Sequence, residues 1–135
     1  MTDLRSLVEP GAEWAGWWEA TRERRLLLQR CVDCGHHQHY PRALCLQCGS
    51  AELAWDEAAG TGVVYSHTTV HRSPLPVPPT PYVVALVRLT EGPVLLTNIV
   101  GCDPGDVRCD LPVSLTWETV EDGRNLPLFR LGSEA

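Results

Sequence analysis

The chain has 135 residues, of which 11 are basic and 17 acidic, giving a net charge of -6. This length predicts one ordinary domain or two very small ones. The acidic balance argues against a nucleic-acid partner, because the broad positive field that attracts phosphate backbones is missing. No apolar run in the sequence approaches the roughly 18 residues that a transmembrane helix needs, so we expect no membrane partner and a cytoplasmic protein.

The first segment, residues 1–30, is predicted to be helical and to end in a short strand. Trp14, Trp17 and Trp18 have the i, i+3, i+4 spacing that places side chains on one face of a helix. These tryptophans either close the hydrophobic core or dock on another protein, since aromatic side chains serve both purposes. The run RLLLQR that follows predicts a strand leading into the first cysteine pair.

The second segment, residues 31–56, contains two matched cysteine pairs. Cys31 with Cys34 and Cys45 with Cys48 each form a C-x-x-C motif followed by a glycine. Two such knuckles facing each other supply four thiolates in a tetrahedral cage, which suits zinc or a single iron, and zinc is the commoner structural ion. Four protein thiolates leave no open position, so we expect a structural metal that supplies much of the folding free energy of this small segment.

Two other interpretations of the cysteine pairs are weaker. The start MTDLRSLVEP has no basic stretch followed by an apolar run, which predicts no signal peptide and a reducing compartment where disulfides are rare. A redox C-x-x-C usually comes as one pair in a βαβ context, and this chain has two pairs without that context. His36, His37 and His39 lie between the pairs and are interpreted as surface residues, because four thiolates already fill a tetrahedral shell.

The third segment, residues 57–135, changes to short strands separated by turns. Five runs are predicted as strands: GTGVVYSHTTV, YVVALVRL, VLLTNIV, PVSLTWETVE and LPLFRL. The second is almost continuously apolar and is expected to be buried on both faces. Residues 72–81 hold five prolines and predict a stiff extended loop. Five strands without an internal repeat fit a small barrel of the OB type, with a small sandwich as the alternative.

No set of catalytic residues is apparent in the sequence. His71, at the end of the first predicted barrel strand, is a conceivable general base, but no activated nucleophile is evident near it. Cys102 and Cys109 are flanked by aspartates, and neighbouring carboxylates raise a thiol pKa and make the thiol a poor nucleophile. Both cysteines are therefore interpreted as small buried residues.

The order of these parts resembles a known family. The tryptophan-bearing helix is followed by RLLLQRCVDCGHHQHYPRALCLQCGS, GTGVVYSHTTVH, PYVVALVRL and DLPVSLTWE, so the resemblance runs from about Trp14 to Leu131. This arrangement is similar to the rubredoxin-like zinc-ribbon plus OB-fold proteins associated with acyl-CoA metabolism. The chain departs from the family pattern before the fourth predicted strand, where many members have a glycine and this chain has CDLPV, so that Asp110 and Leu111 cost the turn some backbone freedom.

Pattern and resemblance together predict a mainly β fold, with an N-terminal helix, a four-cysteine zinc ribbon and a five-stranded OB-type barrel. The resemblance further implies a non-catalytic accessory subunit that binds a thiolase-superfamily enzyme and helps form or cover its acyl-CoA site. Complexes of this kind include steroid side-chain aldolases and acyl-CoA thiolases, in some cases working beside an enoyl-CoA hydratase, and the acyl-CoA is held mainly by the partner.

A nucleic-acid-binding zinc-ribbon and OB module is the alternative from a different functional class. Binding sites of that kind combine a basic groove with interleaved aromatic side chains. The region from Glu57 to Ala135 holds five arginines against nine acidic residues, which is a poor electrostatic footprint for nucleic acid.

Overall fold

The computed structural model describes residues 14–132, so the part of the predicted N-terminal segment before Trp14 lies outside the described residues. The elements are α1 (Ala15–Arg22), β1 (Leu27–Cys31), β2 (His37–Gln38), β3 (Leu53–Glu57), β4 (Thr61–Val70), β5 (Tyr82–Leu89), β6 (Val94–Ile99), β7 (Pro112–Thr119) and β8 (Asn125–Leu131), with a short 3-10 helix at Pro104–Asp106. The expected mainly β fold is confirmed. Residues 14–132 contain no helix with the length and hydropathy of a membrane span.

A small antiparallel sheet carries the first cysteine pair. The strand order is β2-β1-β3, and β1 pairs with β3 from Leu27 opposite Glu57 to Cys31 opposite Leu53. Leu26 and Leu28 are almost fully buried, which anchors the central strand against the rest of the molecule. Because β1 pairs with β2 on one edge and β3 on the other, the position of its last residue, Cys31, is fixed.

The remaining strands form a closed five-stranded barrel in the order β4-β5-β6-β8-β7, which confirms the predicted OB-type barrel. All neighbouring pairs are antiparallel except β6 and β8, which run parallel. Val64, Val87, Val113 and Phe129 have no exposed surface and fill the barrel interior. The apolar residues of each strand therefore meet in one core.

The prediction that the strand YVVALVRL is buried on both faces was wrong. In β5 the side chains alternate, with Val83, Ala85, Val87 and Leu89 buried and the residues between them half-buried or exposed. The intervening residues lie on the outer side of the barrel. A closed barrel has only one interior, so an apolar run in one of its strands does not require two covered faces.

Helix α1 packs between the small sheet and the barrel. Trp17 is 3% exposed and belongs to the hydrophobic core, whereas Trp14 and Trp18 are partly buried against it. The ring of Trp17 meets those of Trp14 and Trp18 edge to face, with centroids 5.2 and 4.7 Å away. The spacing left open whether the tryptophans close the hydrophobic core or dock on another protein. The side chain of Trp17 is part of the core.

Two connections follow the expectations from the sequence. Residues 72–81 form neither helix nor strand, as their prolines predicted. Asp110 has φ +69°, so the turn before β7 contains a residue in the left-handed conformation that glycine tolerates best.

Candidate metal centre

The two cysteine knuckles have the same backbone pattern. In the first, Gly35 N–H donates to Cys31 C=O at 2.8 Å, and Cys31 N–H donates to the carbonyl of His36 at 2.9 Å. In the second, Gly49 N–H donates to Cys45 C=O at 2.9 Å, and Cys45 N–H donates to the carbonyl of Ser50 at 2.8 Å. Both glycines have φ near +80° (78° and 79°), which explains the glycine after each pair.

This repeated turn brings four sulfur atoms together. The Sγ atoms of Cys31, Cys34, Cys45 and Cys48 all lie within 4.8 Å of one another. Two contacts cross between the knuckles, with Cys31 Sγ 3.5 Å from Cys48 Sγ and Cys34 Sγ 3.6 Å from Cys45 Sγ. A tetrahedron of Zn–S bonds of about 2.3 Å has edges of about 3.8 Å, so the spacing fits a zinc-sized ion. All four cysteines are free thiols.

Backbone N–H groups of the knuckles lower the pKa of the two buried thiols. The N–H of Cys48, followed by that of Gln47 at 3.4 Å from Cys45 Sγ, lowers the pKa of the Cys45 thiol to about 7. The N–H of Cys34 lowers the pKa of the Cys31 thiol in the same way. Because metals bind the thiolate, donors aimed at these two sulfurs favour the ligating form. Cys31 and Cys45 are buried, whereas the other two cysteines are exposed.

Two buried glutamines hold the second knuckle against β1, and sequence reasoning missed both. Gln29 Oε1 accepts from Gln38 Nε2 and from Arg42 N–H, each at 2.8 Å, and Gln29 Nε2 donates to the carbonyl of Arg42 at 2.9 Å. Gln38 Oε1 accepts from Leu46 N–H at 3.0 Å. A glutamine inside the apolar run RLLLQR was the available signal, because a polar residue there has to find partners.

The three histidines between the knuckles have separate environments. His37 Nε2 lies 2.8 Å from Asp56 Oδ2, and Arg30 Nε donates to the same oxygen at 3.0 Å. These two partners hold the pKa of the Asp56 carboxyl below its usual range. The interpretation of His39 as a surface residue was wrong, because its ring packs between Trp14, Trp17 and Tyr40. Burial in this aromatic setting, together with the charge of Arg42, lowers the His39 pKa to about 4.

The other candidate reactive residues lie away from the knuckles. His71 is exposed at the start of the proline-rich loop. Cys102 is half-buried, and burial, followed by the charges of Asp106 and Asp103, raises the pKa of its thiol. Cys109 is exposed, so its interpretation as a buried residue was wrong. A thiol with a raised pKa is a poor nucleophile, and the structure adds no base that would activate Cys102 among the described residues.

Two family models match consecutive parts of this chain. The first, described as "ChsH2, rubredoxin-like zinc ribbon domain", matches residues 18–54. The second, described as "ChsH2, C-terminal OB-fold domain", matches residues 55–118. The boundary between them falls in β3, which pairs with β1 and leads into the barrel.

Two curated proteins and one solved structure are similar to the chain over most of its length. A "Probable enoyl-CoA hydratase alpha subunit" from Thermomonospora curvata is 48% identical over 116 residues, which are 86% of this chain and 36% of that protein. A "DUF35 domain-containing scaffold protein" from Methanocaldococcus jannaschii is 33% identical over 110 residues, 78% of each chain. The chain thus spans about a third of the first relative and most of the second.

The similar solved structure is described as "Ltp2-ChsH2(DUF35) aldolase". It shares 44% identity with this chain and superposes with a TM-score of 0.86, covering 92% of this chain and 98% of that one. The agreement extends through the small sheet and the barrel, so the relative arrangement of the two parts is shared and not only the fold of each.

Proposed function

This chain belongs to the ChsH2 (DUF35) family of rubredoxin-like zinc-ribbon and OB-fold proteins, and on that premise we propose that it is a non-catalytic accessory subunit of a thiolase-superfamily enzyme. In this proposal the partner supplies the catalytic residues. This chain helps to form or cover the entrance that receives the acyl group and pantetheine arm of an acyl-CoA ester.

The observation that carries the proposal is the similarity to a protein named as a scaffold and to a structure named as a two-component aldolase. The scaffold protein matches over 78% of both chains, and the ChsH2 chain of the aldolase over nearly its whole length. The hydratase name of the Thermomonospora protein supports acyl-CoA esters as the substrate class and an enoyl-CoA hydratase as a further component. Because that protein is much longer, its hydratase activity is not assigned to this chain. A steroid side-chain aldolase is the kind of complex that we favour.

We propose that Cys31, Cys34, Cys45 and Cys48 hold one Zn²⁺ ion. The sulfur spacing, the matched backbone turns of the two knuckles and the all-thiolate donor set support this assignment. When bound, zinc would supply cross-linking and folding free energy, because four protein ligands leave no position for substrate. The knuckle amides orient the sulfurs.

The proline-rich loop supports a role at a substrate entrance. A cleft of about 440 Å³ lies beside it, lined by Pro78, Pro79 and Pro81 of the loop, by Trp117 of β7 and by Ile99 of β6. Its volume is within the range of small-molecule sites, and its walls are mainly apolar, with Asn98, Thr116 and Glu118 as polar lining residues. We propose that the loop and this cleft face the acyl group in the partner's site. Arg72, on the exposed part of the same loop, is a candidate contact for a coenzyme A phosphate.

The nucleic-acid alternative is not favoured. Of the arginines beyond residue 57, Arg124 is buried against Asp122, and Arg88 lies over the ring of Tyr65 with 4.4 Å between the guanidinium carbon and the ring centroid. The name of the Thermomonospora relative also points to acyl-CoA chemistry and not to nucleic-acid binding. We retain a cytoplasmic location and the division at residues 30 and 56 as parts of the proposal.

Co-purification with an identified enzyme tests the proposed function. The zinc-loaded chain is mixed with the Ltp2 protein of the similar aldolase, and in parallel with the thiolase-superfamily enzyme that co-purifies from the native host. We expect a stable complex in size-exclusion chromatography and aldol-cleavage or thiolysis activity that depends on this chain. The chain alone should give background rates in thiolysis, hydrolysis, hydration and aldol-cleavage assays. An enzyme equally soluble and active without the chain would contradict the accessory role.

A further inference from the structure

A groove lies between helix α1 and the outer side of the barrel. One wall consists of Trp14, Trp17, His39 and Tyr40, and the other includes Leu96 of β6 and Leu126 of β8. Its volume is about 230 Å³, enough for a large side chain but small for a cofactor. Leu96 is 55% exposed and Tyr40 36% exposed, so the rim presents apolar surface to solvent. We refer to it as the aromatic groove.

The aromatic groove contains two buried polar atoms that have no partner among the described residues. They are Nε1 of Trp17, whose side chain is 3% exposed, and Nε2 of His39. A buried donor without an acceptor costs roughly 1–3 kcal/mol, and the few that native proteins keep require an explanation. The indole N–H of Trp17 is a donor only, so it requires an acceptor such as a carbonyl oxygen.

The backbone of β6 beside the groove is also incompletely paired. Within the described residues, β6 and β8 pair only at Ile99 and Phe129, and Pro127 of β8 has no N–H to donate. Leu89 N–H donates to Pro93 C=O, which fixes the alternation of the β5–β6 ladder. In that alternation the peptide groups of Leu96 point away from β5. Upstream of Ile99, β8 reaches this edge through a side chain, with Thr97 Oγ1 donating to the carbonyl of Pro127 at 2.8 Å, so the described strands leave the N–H and C=O of Leu96 without a backbone ladder.

We propose that the aromatic groove binds an extended segment of the partner enzyme, which pairs with the free edge of β6 near Leu96. An apolar side chain of the segment enters the groove, and one of its backbone carbonyls accepts from Trp17 Nε1. Strand addition at a free edge, with a pocket for an alternate side chain, is a recurrent mode of peptide recognition. This inference rests on the proposed accessory function, because it names the surface through which that function is exercised.

The chemistry of the groove explains why an uncharged segment is its occupant. Among residues 14–132, no Asp, Glu, Lys or Arg lines it, and His39 is neutral at physiological pH because burial lowers its pKa to about 4. An acyl-CoA phosphate or a charged side chain would lose hydration without gaining a counter-charge. A carbonyl-bearing polypeptide in extended conformation satisfies both the indole donor and the free strand edge.

Two variants test the proposal in the complex with the Ltp2 protein or the native partner. Leu96→Asp should weaken binding at least tenfold, because it places a charge in an apolar contact. Trp17→Phe keeps the aromatic ring and removes the donor, so it should weaken binding roughly threefold to tenfold while leaving the free chain folded. Leu44→Asp is the matched control, because Leu44 is 51% exposed but lies on the ribbon, outside the aromatic groove. The affinity of this variant for the partner should equal that of the wild-type chain. Zinc content and thermal unfolding verify that each variant folds.

Amide hydrogen exchange provides an independent readout. Exchange at Leu96 should slow in the wild-type complex, because its N–H then bonds to the partner's backbone. If the complex forms but both variants bind like wild type and Leu96 is not protected, the inference is overturned and the accessory function stands. If no complex forms with the wild-type chain, the proposed function itself fails.

Two other occupants would also overturn the inference. The first is indicated if a chain of residues 14–132 binds the partner much more tightly than the full chain, which would assign the groove to residues 1–13. The second is indicated if the wild-type chain self-associates in analytical ultracentrifugation and the Leu96→Asp variant does not. That result would assign the groove to a second copy of the chain.

Discussion

The guanidinium carbon of Arg124 lies 5.0 Å from the centroid of the Trp18 ring, and this contact joins helix α1 to the turn between β7 and β8. Arg124 also contacts Asp122 Oδ2 at 2.6 Å, and its side chain is only 7% exposed. Beside it, Asn125 Nδ2 donates to the carbonyl of Thr21 at 2.8 Å. The helix is therefore fixed to the barrel by a buried polar contact as well as by Trp17.

Replacing Arg124 with alanine should detach this end of the helix. We expect Arg124→Ala to lower the free energy of unfolding by about 2–3 kcal/mol, because the buried side chain loses its carboxylate and ring contacts and its packing against the helix. Urea unfolding measures the change. Arg130→Ala, at an exposed arginine of the neighbouring strand, is the control and should change the free energy by no more than about 0.5 kcal/mol. Equal effects of the two substitutions would refute the structural role of Arg124.

The metal assignment predicts one zinc ion per chain in elemental analysis. Cys45→Ser should lose the metal and unfold the ribbon, because zinc supplies much of the folding free energy of so small a segment. Cys109→Ser, at an exposed cysteine outside the cluster, should retain it. Unreduced protein without metal but with a disulfide between Cys31 and Cys34 would show that the assignment is wrong. Iron in place of zinc would be visible as optical absorption.

The glutamine pair predicts a second effect on the metal. Gln29→Ala leaves the N–H and C=O of Arg42 without their side-chain partner and releases the segment before Cys45. Groups that orient metal ligands typically contribute a factor of roughly 10 to 100 in affinity, and we expect a loss of that order. Competition with a chromogenic chelator measures it. Gln47→Ala, at an exposed glutamine of the same knuckle, serves as the control, and a matching loss there would contradict the prediction.

His39 predicts a pH dependence of stability. Its pKa falls from 6.5 to about 4 on folding, so the unfolded chain binds the proton more readily between these values. Its contribution to stability is therefore complete above pH 6.5 and is lost as the pH falls towards 4. The loss is on the order of 3 kcal/mol at the acid end of that window.

A His39→Phe variant isolates this contribution, because it keeps the aromatic packing and cannot be protonated. Zinc release affects wild type and variant alike, so the difference between their free energies of unfolding is the quantity to measure. That difference should shift in favour of the variant as the pH is lowered from about 7.5 to about 4.5. A difference independent of pH would show that His39 is not buried as a neutral ring.

The cysteine knuckles could be predicted from the sequence because they depend on local spacing. A C-x-x-C-G turn is formed by a few consecutive residues, and its hydrogen bonds join Cys31 to Gly35 and Cys45 to Gly49 within each knuckle. The strands of the barrel were predictable for the same reason, since short runs rich in apolar and β-branched residues between turns are a property of each segment by itself.

Other features depend on which surfaces meet after the chain has folded. The spacing of the tryptophans placed them on one helix face but did not say what that face would touch. The fold put Trp17 in the core and left Trp14 beside a groove. His39 is half-buried because tryptophans of the helix segment cover its ring, and no residue near it in sequence indicates this. The free edge of β6 likewise exists because, among the described residues, the barrel closes through a single pair, Ile99 and Phe129.

The sequence alone therefore determined the cysteine cluster, the five barrel strands along the chain and the extended loop of residues 72–81, because turn residues, apolar runs and prolines act within a few residues. Only the tertiary structure decided that Gln29 orients the second knuckle, that β5 has an exposed outer face and that Trp17 Nε1 is buried without an acceptor among the described residues. Each of these depends on contacts between residues distant in sequence, which a local pattern does not encode.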